Sequence, residues 1–115
     1  MGEIRNAKIT GTTLGYEDHG ILTCFLHLDY GDSGQGFGGW TLDNPVKDSE
    51  GKFINRVGTE AGMMFIKEVI DVLEVKSWEK LKGEYIRVEC DHMKVYRIGH
   101  IIKDNWFDPK DIGFK

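Results

Sequence analysis

Gly34-x-Gly36-x-x-Gly39 has the spacing with which a tight turn holds a pyrophosphate against a helix N-terminus. In that motif a strand leads in and a helix leads out. Here Trp40-Thr41-Leu42-Asp43-Asn44-Pro45 follows, which cannot open a helix. No Walker lysine and no companion kinase motif accompanies the glycines. What remains is a glycine-rich segment, Tyr30 to Trp40, that holds five of the chain's fifteen glycines. As architecture it reads as a hairpin or bulged crossover. As a surface it offers backbone N–H groups, Ser33, Gln35, Phe37 and Trp40 to a ligand or partner. Side chains set singly between glycines predict the second: a loop that binds rather than a packed turn.

Three further constellations bear chemistry. Asp18-His19 lies in a turn signal with His27, Asp29 and Asp32 nearby in sequence, a general acid–base set in composition. Ser33 beside such a histidine is a nucleophile candidate, but no elbow and no orienting third member accompanies it. Cys24, His27, Cys90 and His92 are zinc-ligand types. No pair has close Cys-x2-Cys spacing, and Cys24 and His27 point to opposite faces of a strand, so free buried thiols and no metal are expected. Last, Tyr16, Tyr30, Phe37, Trp40, Tyr85, Tyr96 and Trp106 are interleaved with Arg5, Lys8, Arg56, Arg87, Lys94 and Arg97. That pattern suits a stacking platform for bases, or aromatics that fill a core.

At 115 residues, the chain is expected to form one domain, 1–115, with a single modest core. Its net charge of −4 supplies no global basic field, so contact with nucleic acid would need a local patch. The start, Met1-Gly2-Glu3-Ile4-Arg5, lacks the apolar region of a signal peptide. No segment is long and apolar enough for a membrane helix. A cytoplasmic protein with reduced thiols and no cofactor is the expectation.

The elements that would carry these residues follow from periodicity. Gly2 to Leu14 reads as a first strand with Ala7, Ile9 and Gly11 on one face. Gly15 to Gly20 reads as a turn. Ile21 to Tyr30 alternates, with Leu22, Cys24, Leu26, Leu28 and Tyr30 on one side and Ile21, Thr23, Phe25, His27 and Asp29 on the other. After the glycine loop comes a short strand around Trp40 to Leu42, then a polar, irregular stretch from Asp43 to Gly58. Thr59 caps a helix with Met63, Ile66, Val69, Ile70 and Leu73 on its apolar face. The extra width given by Met64 and Phe65 suits either a covered core helix or a partner surface. Ser77 to Gly83 makes a short helical turn. Tyr85 to Asp91 and Lys94 to Ile102 form a hairpin, and the tail from Lys103 is too apolar to hang free. The order β-β-β-α-β-β gives an α+β fold of about five antiparallel strands curved around one main helix. That is the element order of an OB-fold and equally of a plain curved sheet on a helix.

The run Ile9-Thr10-Gly11-Thr12-Thr13-Leu14-Gly15-Tyr16-Glu17-Asp18-His19-Gly20-Ile21-Leu22-Thr23, with Gly34-Gln35-Gly36-Phe37-Gly38-Gly39, resembles small proteins encoded by phages and prophages. Ser77-Trp78-Glu79-Lys80-Leu81-Lys82-Gly83 and Ile98-Gly99-His100-Ile101-Ile102 share the resemblance. It brings no enzymatic motif. It implies a setting: a phage accessory protein inside a bacterial host cell.

The expectation is therefore a non-enzymatic binding protein that counters a host defence. Its partner would be a host defence protein inhibited in the anti-CRISPR manner, or a small nucleotide sequestered at the glycine loop. The alternatives are an OB-like single-stranded nucleic-acid-binding accessory and a small enzyme using Asp18 and His19. Tyr16, Asp18, His19, Ser33, Gln35, Phe37 and Trp40 are the candidate binding residues, and a homo-oligomer is left open.

Overall fold

A two-residue turn at His19-Gly20, both at positive φ (54° and 72°), folds the first two strands onto each other. Two left-handed residues give the twist that matches paired strands. The computed structural model describes residues 2–115. It shows β1 at Glu3–Asp18, β2 at Ile21–Asp29 and β3 at Gly34–Gly38. The hairpin β4 (Asp43–Lys47) and β5 (Phe53–Gly58) comes next. Then follow α1 at Glu60–Leu73, β6 at Tyr85–Cys90, β7 at Val95–Gly99 and β8 at Trp106–Phe107.

The main sheet has six antiparallel strands in the order β3-β2-β1-β6-β7-β8, and β4-β5 forms a separate two-stranded sheet. The α+β class is as the periodicity predicts, with more strands. The first strand runs on to Asp18 instead of ending at Leu14, so Gly15 and Tyr16 are strand residues. The stretch expected to be irregular is the β4-β5 hairpin, and no strand forms over Trp40–Leu42.

Register decides which residues face out. Ile9 pairs with Leu28 and Gly11 with His27, so Thr10 is an extra residue, a bulge. Ala7 and Ile9 are buried as expected, but the bulge turns Gly11 to the outer face beside His27. Cys24, Leu26 and Leu28 of β2 point inward with Phe37 of β3, and Ile86, Val88 and Cys90 of β6 continue the same core.

Helix α1 closes that core. Thr59 Oγ1 accepts from Gly62 N at 2.9 Å and its hydroxyl donates to Leu42 O at 2.8 Å, which fixes the helix start against the chain leaving β3. Gly62 passes so close to Leu42 that an added Cβ would lie 1.9 Å from its carbonyl oxygen. The buried face is Phe65, Val69, Val72 and Leu73. That is a correction to the expected face. Ile66 and Ile70 are half-buried and Met63 is 64% exposed, because Phe65 rather than Met63 meets Phe37 and Phe107. Phe107, Ile112 and Phe114 bring the tail onto this core.

The sheet curls until β3 faces β7, but no ladder joins them. The Gln35 side chain reaches across the opening: its Nε2 donates to Asp91 O, in the β6–β7 loop, at 2.9 Å. The helix α1 is too short for a membrane crossing, and among the described residues no helix is long and apolar enough to cross one.

Candidate ligand-binding face

On the outer face of β2 the alternate residues are Thr23, Phe25 and His27. Their partners across the ladders are Gly15, Thr13 and Gly11 of β1, with Gly38 and Gly36 of β3 opposite Phe25 and His27. Directly opposite residues share a face of a sheet. Two rings therefore rise from a floor of glycine and threonine. They lie nearly parallel, with centroids 5.9 Å apart and planes 19° apart. The His27 ring is steadied by Thr13, whose Oγ1 lies 3.4 Å from Nε2.

Gly36 of β3 and Gly39 just beyond its end are what let the Phe25 ring lie down. A Cβ on Gly36 would stand 2.4 Å from Cε1 of Phe25, and one on Gly39 would stand 3.1 Å from Cε2. The glycine spacing is thus a strand floor beneath an aromatic ring, and not a free loop. On the β1 side of the rings lies an open cleft of about 300 Å³ between Thr13, Glu17, Asp18, Thr23, Phe25 and His27.

On the β3 side the face meets the seam. Gly39 N donates to Cys24 O at 3.0 Å. In an antiparallel ladder alternate residues bond the same neighbour, so Phe37 and Gln35 also address β2. Gly36 and Gly38 then turn their N–H and C=O groups toward β7. No ladder on that side takes them up among the described residues. A cleft of about 210 Å³ opens there, lined by Gly36, Gly38, Gly39, Trp40, Lys94 and Val95. The Lys94 ammonium stands 5.5 Å from the Trp40 ring centre and 5.3 Å from that of Tyr96.

Lys94 differs from most cations interleaved with the aromatics. Arg5 is paired with Asp32, Arg56 with Asp43 and Arg97 with Glu89. Arg87 donates to the carbonyls of His100 and Lys103 and lies over Trp106. Lys94 has no carboxylate partner among the described residues, and its loop is held by Asp91, whose Oδ1 accepts from the amides of Met93 and Lys94. The Tyr96 hydroxyl, then those amides, hold the Asp91 carboxyl down to about 2, so it stays an anion that fixes the loop.

The sequence-predicted residues do not gather in one place. Phe37 is 1% exposed, stacked on Phe65 and edge-on to Trp40 and Phe107, so it is core and not a ligand contact. Gln35 is a tie: its Oε1 accepts from the Tyr30 hydroxyl at 2.5 Å while its amide reaches Asp91. Burial, then Cys90, pushes the Tyr30 phenol up, which keeps it a donor there. Ser33 donates to Asp32 at 3.2 Å, and Arg5 beside Asp32 lowers that carboxyl's pKa. Trp40 is half-buried, lines the seam, and donates its indole N–H to Lys115 O at 3.0 Å. Tyr16 is exposed on β1 near its end. Asp18 and His19 touch at 2.6 Å at the hairpin tip, and no third side chain hydrogen bonds to His19 among the described residues. A cleft of about 290 Å³ beside Arg5, Tyr30, Ser33 and His92 is lined by groups already bound to one another, as the Arg5–Asp32 and Tyr30–Gln35 contacts attest.

Cys24 and Cys90 are buried free thiols on β2 and β6, with β1 between those strands. Burial pushes the Cys24 thiol up to about 12. Among the described residues, no group of three or more His, Cys, Asp and Glu side chains is placed to hold a metal ion.

Sequence reasoning missed Phe25 and His27 as a pair. The alternation of Ile21 to Asp29 put them on one face, but only the register shows that each is flanked by glycine or threonine. Comparison with family models, with curated proteins and with solved structures finds no match.

Proposed function

We propose that this chain is an open OB-like barrel that binds single-stranded nucleic acid stoichiometrically on the outer face of β2 and β3. The strand order β3-β2-β1-β6-β7, the helix between β3 and β6 in the chain, and the approach of β3 to β7 support the OB-like reading. In such barrels the second and third strands carry oligonucleotides. The observation that carries the proposal is the Phe25–His27 pair raised on a glycine floor. Flat rings with open space around them suit bases, since every base has a face to stack.

The shape of the clefts favours a strand over a sequestered nucleotide. The open clefts of about 300 and 210 Å³ flank the Phe25 ring, one on its β1 side and one in the seam beyond β3. Pockets that enclose a small ligand run from roughly 300 to 1,000 Å³, so one cleft is at the bottom of that range and the other below it. An extended ligand that touches several shallow sites fits better than a small one swallowed whole. Catalysis by Asp18 and His19 has less support, because their pair stands exposed at a hairpin tip without an orienting partner.

The test is fluorescence anisotropy of labelled dT12 against the duplex of the same length. His27→Ala, at an exposed position, should weaken dT12 binding by about 1–3 kcal/mol, the range for one lost base stack. Phe25→Ala should do the same, with melting temperature measured alongside because its ring also covers Gly36. Equal binding by wild type and His27→Ala, or preference for duplex, would overturn the reading.

One observation favours a second reading. Phe53 and Ile54 on β5 are 56% and 58% exposed, and Val57 on the same strand and Met63 on α1 are exposed too. Exposed apolar groups on a hairpin suit a protein partner. A host defence protein or a second copy would cover them. Mixing with a candidate effector, or light scattering against concentration, separates these from a monomeric nucleic-acid binder.

A further inference from the structure

We infer that the seam between β3 and β7 is a phosphate site, in which the Lys94 ammonium and the outward amides of Gly36 and Gly38 hold one phosphodiester of the bound strand. This deepens the single-strand reading and rests on it for the source of the phosphate.

The donors are of the right kind. An edge strand leaves the N–H and C=O groups of alternate residues without ladder partners, and at such an edge the N–H groups can hold an anion where a cation offsets the carbonyls beside them. Here that edge borders a cleft of about 210 Å³ rather than open solvent. Lys94 adds a full positive charge that no carboxylate neutralises among the described residues, on a loop pinned by Asp91. The alternatives on this side are already spent: Gln35 bridges Tyr30 and Asp91, and the Trp40 N–H is bonded to Lys115 O.

The size of the cleft decides what it takes. It is smaller than pockets that enclose a whole nucleotide, so it accepts one group of a larger ligand. Gly36 and Gly39 belong to both surfaces. Their outer sides lie under the Phe25 ring, and both line the seam. A base stacked on Phe25 therefore has its backbone within reach of the seam, and the Trp40 ring forms a flat wall beside it.

The experiment follows the full chain by amide NMR and anisotropy with three probes: dT12, a dT12 with neutral methylphosphonate linkages, and inorganic phosphate. With dT12, the Gly36 and Gly38 amides should shift. Lys94→Gln should weaken dT12 by up to about fivefold, as for an exposed ion pair. The slope of log K against log salt should become shallower by about 0.7, the share of one single-strand phosphate. Lys94→Arg should keep both values near wild type. The neutral oligonucleotide should bind wild type and Lys94→Gln alike.

If dT12 binds Lys94→Gln with unchanged affinity and slope, the phosphate site is overturned while the strand reading stands. If dT12 fails to bind wild type but inorganic phosphate moves the Gly36 and Gly38 amides, the site stands as a receptor for free phosphate and the strand reading falls. If neither probe moves those amides, the inference is wrong.

Discussion

The Phe25 ring fills the space that a side chain on Gly36 would need: an added Cβ would lie 2.4 Å from Cε1 and 2.9 Å from Cδ1. Gly36→Ala should therefore cost about 1–3 kcal/mol, as overpacking does. Gly15→Ala meets open space and should be close to neutral. The double variant Phe25→Ala/Gly36→Ala should show a coupling above about 0.5 kcal/mol in a urea-denaturation cycle, because the two changes share one contact. Strict additivity would mean that the ring does not rest on the strand.

The helix face is open to the same kind of trial. Phe65 is buried among Phe37, Phe107 and Phe114, so Phe65→Ala should cost about 3–5 kcal/mol. Met63 is exposed, and Met63→Ala should stay within about 0.5 kcal/mol. Denaturant midpoints at constant slope would measure both. A cost for Met63→Ala as large as that for Phe65→Ala would restore the face expected from periodicity.

These outcomes bear on what a sequence reveals. Thr59 is readable as a cap because its hydroxyl does a local job, three residues from the amide it accepts. The alternation of Ile86, Val88 and Cys90 is equally local and matches the burial. The strand at Gly34–Gly38 was not readable. Glycine disfavours strands, and what holds it there is a partner ladder and a ring from β2, both tertiary. The hairpin β4-β5 hid for another reason. Asn44, Pro45 and Asn55 break the pattern, and apart from Asp43 no residue of either strand is buried, so burial leaves no period in the sequence. Phe37 misled because an aromatic among glycines looks exposed until the sheet curls over it.

Asp43, the buried first residue of β4, accepts hydrogen bonds from Arg56 Nε and a terminal Arg56 nitrogen at 2.8 Å, and from Leu22 N at 3.2 Å. Asp43→Ala removes these bonds but leaves Arg56 with its partly exposed end in reach of water, so it should cost about 1–3 kcal/mol in denaturant. A cost below about 1 kcal/mol would show that the hairpin is held by something else.

Acid should find the same contacts. Arg56 beside Asp43, Arg97 beside Glu89 and the Tyr96 hydroxyl on Asp91 each hold a carboxyl below its ordinary value. A group with a depressed folded pKa contributes stability above its unfolded value and loses it as pH falls through the folded one. For Asp91 that window runs from 3.8 down to about 2. Of these three contacts, Glu89 begins to lose its share as pH falls through about 5 and the two aspartates follow, so stability should decline below about pH 5 and fall most steeply below about 4. Asp91→Asn should soften the lower part of the fall. An acid limb that begins near pH 6 would point to a histidine instead.

The two thiols give a readout of the closed core. Cys24 and Cys90 are buried, and burial raises the Cys24 thiol to about 12, so almost no thiolate exists there at pH 8. An alkylating reagent must wait for the sheet to open, because attack needs both access and the thiolate. Native protein at pH 8 without reductant should leave Cys24 unmodified over minutes, while protein in denaturant should take up two equivalents at once. The slow native rate at Cys24 should rise in Gly36→Ala, whose strained β3 neighbours the Cys24 strand, and should not change in Met63→Ala. Peptide mass mapping reads the two cysteines separately. Rapid native modification of Cys24 would mean that the β2-β3 edge opens freely, and a face built on that edge could not hold Phe25 and His27 in place.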